Sequence, residues 1–222
     1  MLNPRKRLTK KEIQEDSFVT FMVNAQKFYE TYAKQIQYGL LAVVAVIVIS
    51  TLMVRSKKQA EIQASGRLGI AELFVTANQW EQATPELQAI VDSYSGTRAA
   101  GRAVLYLAKG AIANEKKAEA EQYYRQYAAK YKSDSYLLSA AMAGVAACSE
   151  DDGSYAEAID WYKKAYKQDP KSFKAPLYLK GAARCAGRAV QKEQARAFYQ
   201  QIVDEYPDSP EAREVKVFLA AL

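Results

Sequence analysis

Four alanines, Ala83, Ala120, Ala158 and Ala195, stand 37, 38 and 37 residues apart. Four positions after each comes a large side chain, Leu87, Tyr124, Tyr162 and Tyr199. Seven positions after each come Ile90, Tyr127, Ala165 and Ile202. Residues at these offsets share one face of an α-helix. A small residue lets a neighbouring helix approach closely, and the ring fills the groove beside it. Tyr94, Tyr131, Pro170 and Pro207 close the four runs, and proline cannot continue a helix. The spacing is that of helices packing into hairpins, and a fixed period of this size predicts a solenoid of stacked units. The fold class is therefore expected to be all-α.

The best-formed unit is "GSYAEAIDWYKKAYKQDP", with Gly153, Tyr155, Ala158, Tyr162, Ala165, Asp169 and Pro170. It resembles the tetratricopeptide repeat, a helix-turn-helix of 34 residues. The resemblance implies first helices around the small residues Ala71, Ala108, Ala146 and Ala183, twelve before each anchoring alanine. The departures are a period about three residues too long and the loss of the family's first-helix aromatic. Phe74 keeps it once, whereas Ala111, Ser149 and Ala186 replace it. Pro85 requires the second helix of its repeat to start close to it or to kink. The expected repeats are about 64–97, 101–134, 139–172 and 176–209. A helix over 210–222, with Val215, Phe218, Leu219 and Leu222 on one face, is expected to cap the last of them.

Ahead of the repeats, residues 38–54 read "YGLLAVVAVIVISTLMV", 17 residues without a charge. At about 1.5 Å per residue this length just crosses a hydrocarbon core. Tyr38 and Arg55 suit the two interfaces. The preceding region is too long for a cleavable signal peptide, and "RSKKQAEIQ" is a poor cleavage site. Residues 18–37 form an amphipathic lead-in whose stripe includes Phe18, Phe21, Phe28, Tyr29 and Tyr32. It is expected to rest in the lipid interface with Lys27 and Lys34 toward phosphates, or to pack on a partner's membrane helices. Thr9 and Glu12 fit a capping box at its start. Residues 1–17 are a basic tail, and 55–222 the repeat domain. Long exported domains escape the positive-inside count, so the basic tail is expected to hold the N-terminus in the cytoplasm.

The charge is uneven. The chain carries +6 overall, with 7 Lys/Arg against 4 Asp/Glu in residues 1–37 and 24 against 21 beyond. The broad basic face of a nucleic-acid binder is not evident. There is no histidine, which removes His-based acid–base work, the Ser-His-Asp and Cys-His triads and the commonest zinc ligand. No catalytic, cofactor or metal residues are assigned, and no small-molecule substrate is expected. Glu150, Asp151 and Asp152 lack the spacing of a calcium loop and read as a solvated turn. Cys148 and Cys185, one period apart, read as buried thiols too far apart for a disulfide.

In the tetratricopeptide family first helices line the concave surface, so candidate groove residues are Leu68, Val75, Leu105, Ile112 and Leu177, with the cations Arg102, Lys109, Lys180, Arg184 and Arg188. Some members clamp a peptide carboxylate with Lys, Arg and Asn; no asparagine stands at a matching place here. The last three cations read equally as an exposed basic edge. The whole layout is similar to the bacterial single-pass inner-membrane proteins that act as ancillary subunits of the Sec translocon. That resemblance implies a periplasmic repeat domain holding translocon components, chaperones or exported clients, without bond chemistry. The alternative is a fixed structural subunit of a larger membrane complex.

Overall fold

The computed structural model describes the backbone of residues 10–221 and the side chains of residues 18–219. Thr9 and the side chain of Glu12, most of the basic tail and Leu222 lie outside the described residues. The chain divides into two compact units, Met1–Ser56 and Lys57–Leu222.

The described part of the first unit is helix throughout and belongs to α1 (Lys10–Thr76). It is the one helix among the described residues long and apolar enough to cross a membrane. Phe18, Phe21, Phe28, Tyr29, Tyr32, Tyr38 and Arg55 are all exposed on it. Residues 18–37 and 38–54 are continuous, with no break between lead-in and apolar stretch.

In the second unit the end of α1 pairs with α2 (Trp80–Ser93). Three further hairpins follow: α3 (Arg98–Ala113) with α4 (Lys117–Lys130), α5 (Ser135–Asp151) with α6 (Tyr155–Gln168), and α7 (Ala175–Arg188) with α8 (Lys192–Glu205). Helix α9 (Pro210–Ala221) packs on α8 and touches α7. The expected all-helical solenoid of four hairpins with a terminal cap is thus present. Val215 of α9 is buried against Leu179 and Ile202, and Phe218 stacks on Tyr199 at 6.0 Å.

The alanine period has the packing role that its spacing demands. Ala71, Ala83, Ala108, Ala120, Ala146, Ala158 and Ala183 are completely buried, and Ala195 nearly so. The starts of α3, α5 and α9 are fixed by short polar side chains: Thr97 accepts the Ala100 N–H, Asp134 the Leu137 N–H and Ser209 the Ala212 N–H. The first of these is reinforced from a distance, because the Glu61 carboxylate accepts the Arg98 and Ala99 N–H groups at 2.7 and 3.1 Å. An anion is favourable at that positive helix end. Pro85 neither starts α2 nor lies next to its start; the helix begins five residues earlier, at Trp80. The ring nitrogen cannot donate, so one hydrogen bond of that turn is forgone.

All four hairpins close in the same way. The second residue after each first helix takes a positive φ: Asn78 (57°), Glu115 (59°), Gly153 (77°) and Val190 (62°). The next N–H then reaches back five residues: Gln79 to Phe74, Lys116 to Ala111, Ser154 to Ser149 and Gln191 to Ala186, at 2.8–2.9 Å. This is the Schellman closure, which requires the left-handed residue. Glycine adopts it freely and asparagine tolerates it, whereas a β-branched side chain crowds its own backbone. Val190 is also 79% exposed, so little packing repays the strain.

Val190→Gly is therefore expected to raise stability by roughly 1 kcal/mol, and Gly153→Val to lower it by a similar amount. Urea unfolding of the full chain, followed by circular dichroism, checks both signs.

Candidate functional site

The first helices of successive hairpins, the end of α1, then α3, α5 and α7, present one residue row that follows the repeat. In α3 that row holds Arg102, Leu105, Lys109 and Ile112. In α5 it holds Ala140, Ala143, Ala147 and Glu150, and in α7 Leu177, Lys180, Arg184 and Arg188. The row is not uniform. Its α5 portion is built of small residues, because second-helix rings lie directly beneath. A Cβ added to Gly144 would stand 2.7 Å from the Tyr124 ring, and one added to Gly181 2.7 Å from Tyr162 Cζ. These close contacts leave a shallow trough of about 380 Å3 bounded by Ala140, Ala143 and Gly144 on one side and Lys174, Leu177 and Arg184 on the other. Leu177 and Ile112 are exposed on its flanking helices, at 46% and 45%.

Two of the apolar groove candidates lie elsewhere. Leu68 and Val75 are buried in the core that joins the first two hairpins, at 2% and 6% exposure. At the end of the stack α1 turns these side chains against α2 and α3; Val75 is core, and Leu68 is core that also reaches the wall of the cleft at the starts of α3 and α5. Leu105 is half-buried against the same core.

The basic candidates separate sharply. Arg102 is paired with Glu72 at 2.5 Å, which ties α3 to α1. Lys180 is paired with Glu214 at 2.5 Å, which ties α7 to α9. Arg184 holds Glu150 with two hydrogen bonds of 2.6 Å, tying α7 to α5. Among the described residues Lys109 is exposed and makes no ion pair, and Arg188 makes only a ring contact, 5.9 Å from the Tyr155 centroid. Three of the five cations thus hold neighbouring helices together, and the other two form no ion pair with the described residues.

Glu150 departs most from its sequence reading. It is not in a solvated turn but in the last turn of α5, 7% exposed. Besides the Arg184 fork it accepts the Tyr162 hydroxyl at 3.1 Å. Burial alone would push its carboxyl up; Arg184 and Tyr162 more than offset this and hold it below the ordinary value. Asp151 instead pairs with Lys117 at 2.8 Å. Cys148 and Cys185 are free and buried, and burial pushes their thiols up to about 11 and about 12. Both are protonated and poorly nucleophilic at neutral pH. No group of three or more metal-ligating side chains is gathered among the described residues.

A second, larger cleft of about 500 Å3 lies where the starts of α3 and α5 approach α1. Glu61 caps α3 and Arg102 pairs with Glu72 on its wall, whereas among the described residues Arg98, Lys130 and Lys132 form no ion pair and the buried Tyr131 hydroxyl has no hydrogen-bond partner.

Glu72 and Glu214 were not singled out from the sequence, and Glu150 was read only as part of a solvated turn. Each lies 30 to 34 residues from its cation, close to one repeat away. That offset is the signal that could have found them.

Removing one member of the central pair has a signed consequence. Arg184→Ala leaves a buried carboxylate with one hydroxyl partner, and a loss of roughly 1–3 kcal/mol at pH 7 is expected. In the native chain the carboxyl is depressed, so its stabilisation is complete above the ordinary value of 4.5 and is lost as pH falls below it. In Arg184→Ala the burial effect is left dominant and the sign reverses, so acidification narrows the gap between variant and native chain. Urea midpoints at pH 7 and on the acid side of 4.5 check this.

Two family models, both described as tetratricopeptide repeat, match the chain, one at residues 150–217 and the other at 68–135 and 111–173. No curated protein matches it in sequence. Among solved structures it is similar to a Podosopora anserina putative kinesin light chain with nearly identical TPR-like repeats. Identity there is 17%, TM-score 0.57, with 72% of this chain and 85% of that one covered. It is also similar to YrrB, described as a TPR protein with an unusual peptide-binding site, at 18% identity and TM-score 0.53, covering 69% and 74%. Pseudomonas aeruginosa PilF is similar at 16% identity and TM-score 0.52, covering 69% and 66%. At these identities the structures speak for the fold alone. The family matches together run from residue 68 to 217, and the chain belongs to the tetratricopeptide-repeat family.

Proposed function

We propose that the protein is a membrane-anchored scaffold that holds a peptide or protein segment on the first-helix face of its repeats. In this reading it serves protein export or envelope-protein biogenesis, with translocon components, chaperones or exported clients as partners. Tetratricopeptide-repeat proteins are protein–protein interaction scaffolds, and their domains bind other proteins or peptides. The observation that carries the reading is the small-residue trough between α5 and α7, with Leu177 exposed beside it and Ile112 on the neighbouring α3. A bulky apolar side chain of a partner fits where the chain itself supplies only Ala140, Ala143 and Gly144. Lys109 makes no ion pair with the described residues, so in this reading it meets an acidic group of that partner. Arg102, Lys180 and Arg184 serve instead as positioning residues, since each is committed to a carboxylate of the stack.

Residues 38–54 supply the anchor, with the N-terminus in the cytoplasm and the repeats outside a bacterial inner membrane. Length and an uncharged composition support the span. The basic tail supports the orientation. Anchoring confines the scaffold to one surface and raises its effective concentration for membrane partners. YrrB, a protein of similar fold, is described as having a peptide-binding site, which accords with a peptide as the ligand class.

Photocrosslinkers placed at Lys109 and at Leu177 in cells test the proposal. Capture of translocon components, chaperones or several exported chains is the expected outcome. One constant neighbour from both positions would point to a fixed structural subunit. No capture from either would sink the groove assignment.

A further inference from the structure

The cleft of about 500 Å3 at the starts of α3 and α5 gathers groups that the chain leaves without partners. Arg98 opens α3, Lys130 ends α4 and Lys132 follows it. All three line the cleft, are exposed and form no ion pair with the described residues. None of them stands in the first-helix row, whose Arg102, Lys180 and Arg184 are committed to carboxylates. Tyr131, between the two lysines in the chain, lines the same cleft and is 6% exposed. Its ring is seated on the cleft wall, where a Cβ added to Gly101 would stand 3.0 Å from it. Its hydroxyl is buried without a hydrogen-bond partner; among the described residues the only other such side-chain atom is Ser149 Oγ. Buried polar groups in folded proteins are paired almost without exception, so this donor calls for a partner.

The lining decides the class of ligand. Four cations and three carboxylates line the cleft, a net charge of one. Glu61 and Asp134 accept helix N–H groups and Glu72 holds Arg102, so the negative groups are already engaged. One carboxylate balances such a site, whereas a phosphate dianion overshoots it beside three fixed negative charges. The cleft also adjoins the trough between α5 and α7. Leu137 lines the first and Ala140 and Gly144 the second, three and seven residues further along α5 and so on the same face. That is a separation of about 5–10 Å along the helix. An extended segment, rising about 3.3 Å per residue, covers it in roughly two to four residues.

We propose that the cleft takes one carboxylate of a bound polypeptide segment. The Tyr131 hydroxyl donates to it, Arg98, Lys130 and Lys132 surround it, and an apolar residue two to four positions away fills the trough. The inference rests on the scaffold reading above and names what the scaffold recognises.

Hexapeptides of alanine with one Glu and one Leu at these separations, fluorescently labelled and C-terminally amidated, test it on the full chain in detergent. They are expected to bind several-fold more tightly than the same peptides with Gln. Tyr131→Phe is expected to remove most of that preference while leaving the urea midpoint at or above that of the native chain, because the hydroxyl makes no bond in the fold. Arg98→Gln and Lys132→Gln each reduce the preference. Bound Glu peptide shields Lys130 and Lys132, but not Lys171, from acetylation read by mass spectrometry. A Gln peptide with a free C-terminus tells a chain end from a side chain as the source, and preference for either carboxylate supports the site. Equal binding of Glu and Gln peptides, with the two lysines unshielded, overturns the proposal and leaves the scaffold reading on the trough alone. Failure of every peptide to bind sinks both. Equal shielding by inorganic phosphate replaces the carboxylate assignment with a general anion site, and a lowered urea midpoint in Tyr131→Phe counts against a hydroxyl kept for a ligand.

Discussion

An aromatic ring resting on a residue that has no side chain to spare is the contact on which the repeat domain depends. Tyr124 lies on Gly144 and Tyr162 on Gly181 so closely that a single added methyl would collide with each ring. Both rings belong to second helices and both glycines to the first helix that follows. The contact therefore joins one hairpin to the next rather than the two halves of one hairpin. The fully buried alanines act inside the same layers. A hairpin of this size cannot bury its apolar face alone, so stability comes from stacking on neighbours. A larger side chain at any of these points would push the layers apart, at a cost on the order of 1–3 kcal/mol.

That stacking also decides what the charges can do. A guanidinium held by two hydrogen bonds is not available to a ligand without breaking them. Arg184 is spent on Glu150, Arg102 on Glu72 and Lys180 on Glu214, each across a helix boundary. The exposed pairs contribute little individually, whereas the half-buried Glu150 network does more. What the stack leaves uncommitted is a trough floored by small residues, its apolar flanks, and Lys109 and Arg188. In the proposed reading such a surface selects for shape and a few acidic groups more than for a strongly acidic partner.

The two units follow different rules. In the repeat domain apolar side chains are covered by the next layer. On α1 before residue 57 they are exposed in a row, as is the uncharged stretch behind them. Exposed apolar surface of that extent marks a membrane or protein contact.

The helical pairs and their number, the buried alanines and the buried thiols were all legible from the chain, because each follows from spacing along one helix. Gly153 was the only one of the four turn residues to carry a visible turn signal. Asn78, Glu115 and Val190 adopt the same left-handed conformation because the Schellman bonds impose it. Leu68 and Val75 were legible as first-helix residues but not as core, since their burial depends on where the stack begins. The fate of Glu150 was hidden altogether: its neighbours in sequence, Asp151 and Asp152, suggested a wet turn. By itself the sequence determined the period and the helical faces, which are local properties of 3.6 residues per turn. Tertiary structure alone decided which carboxylate meets which cation, and so which cations are free, because that depends on the offset between stacked helices some 30 residues apart.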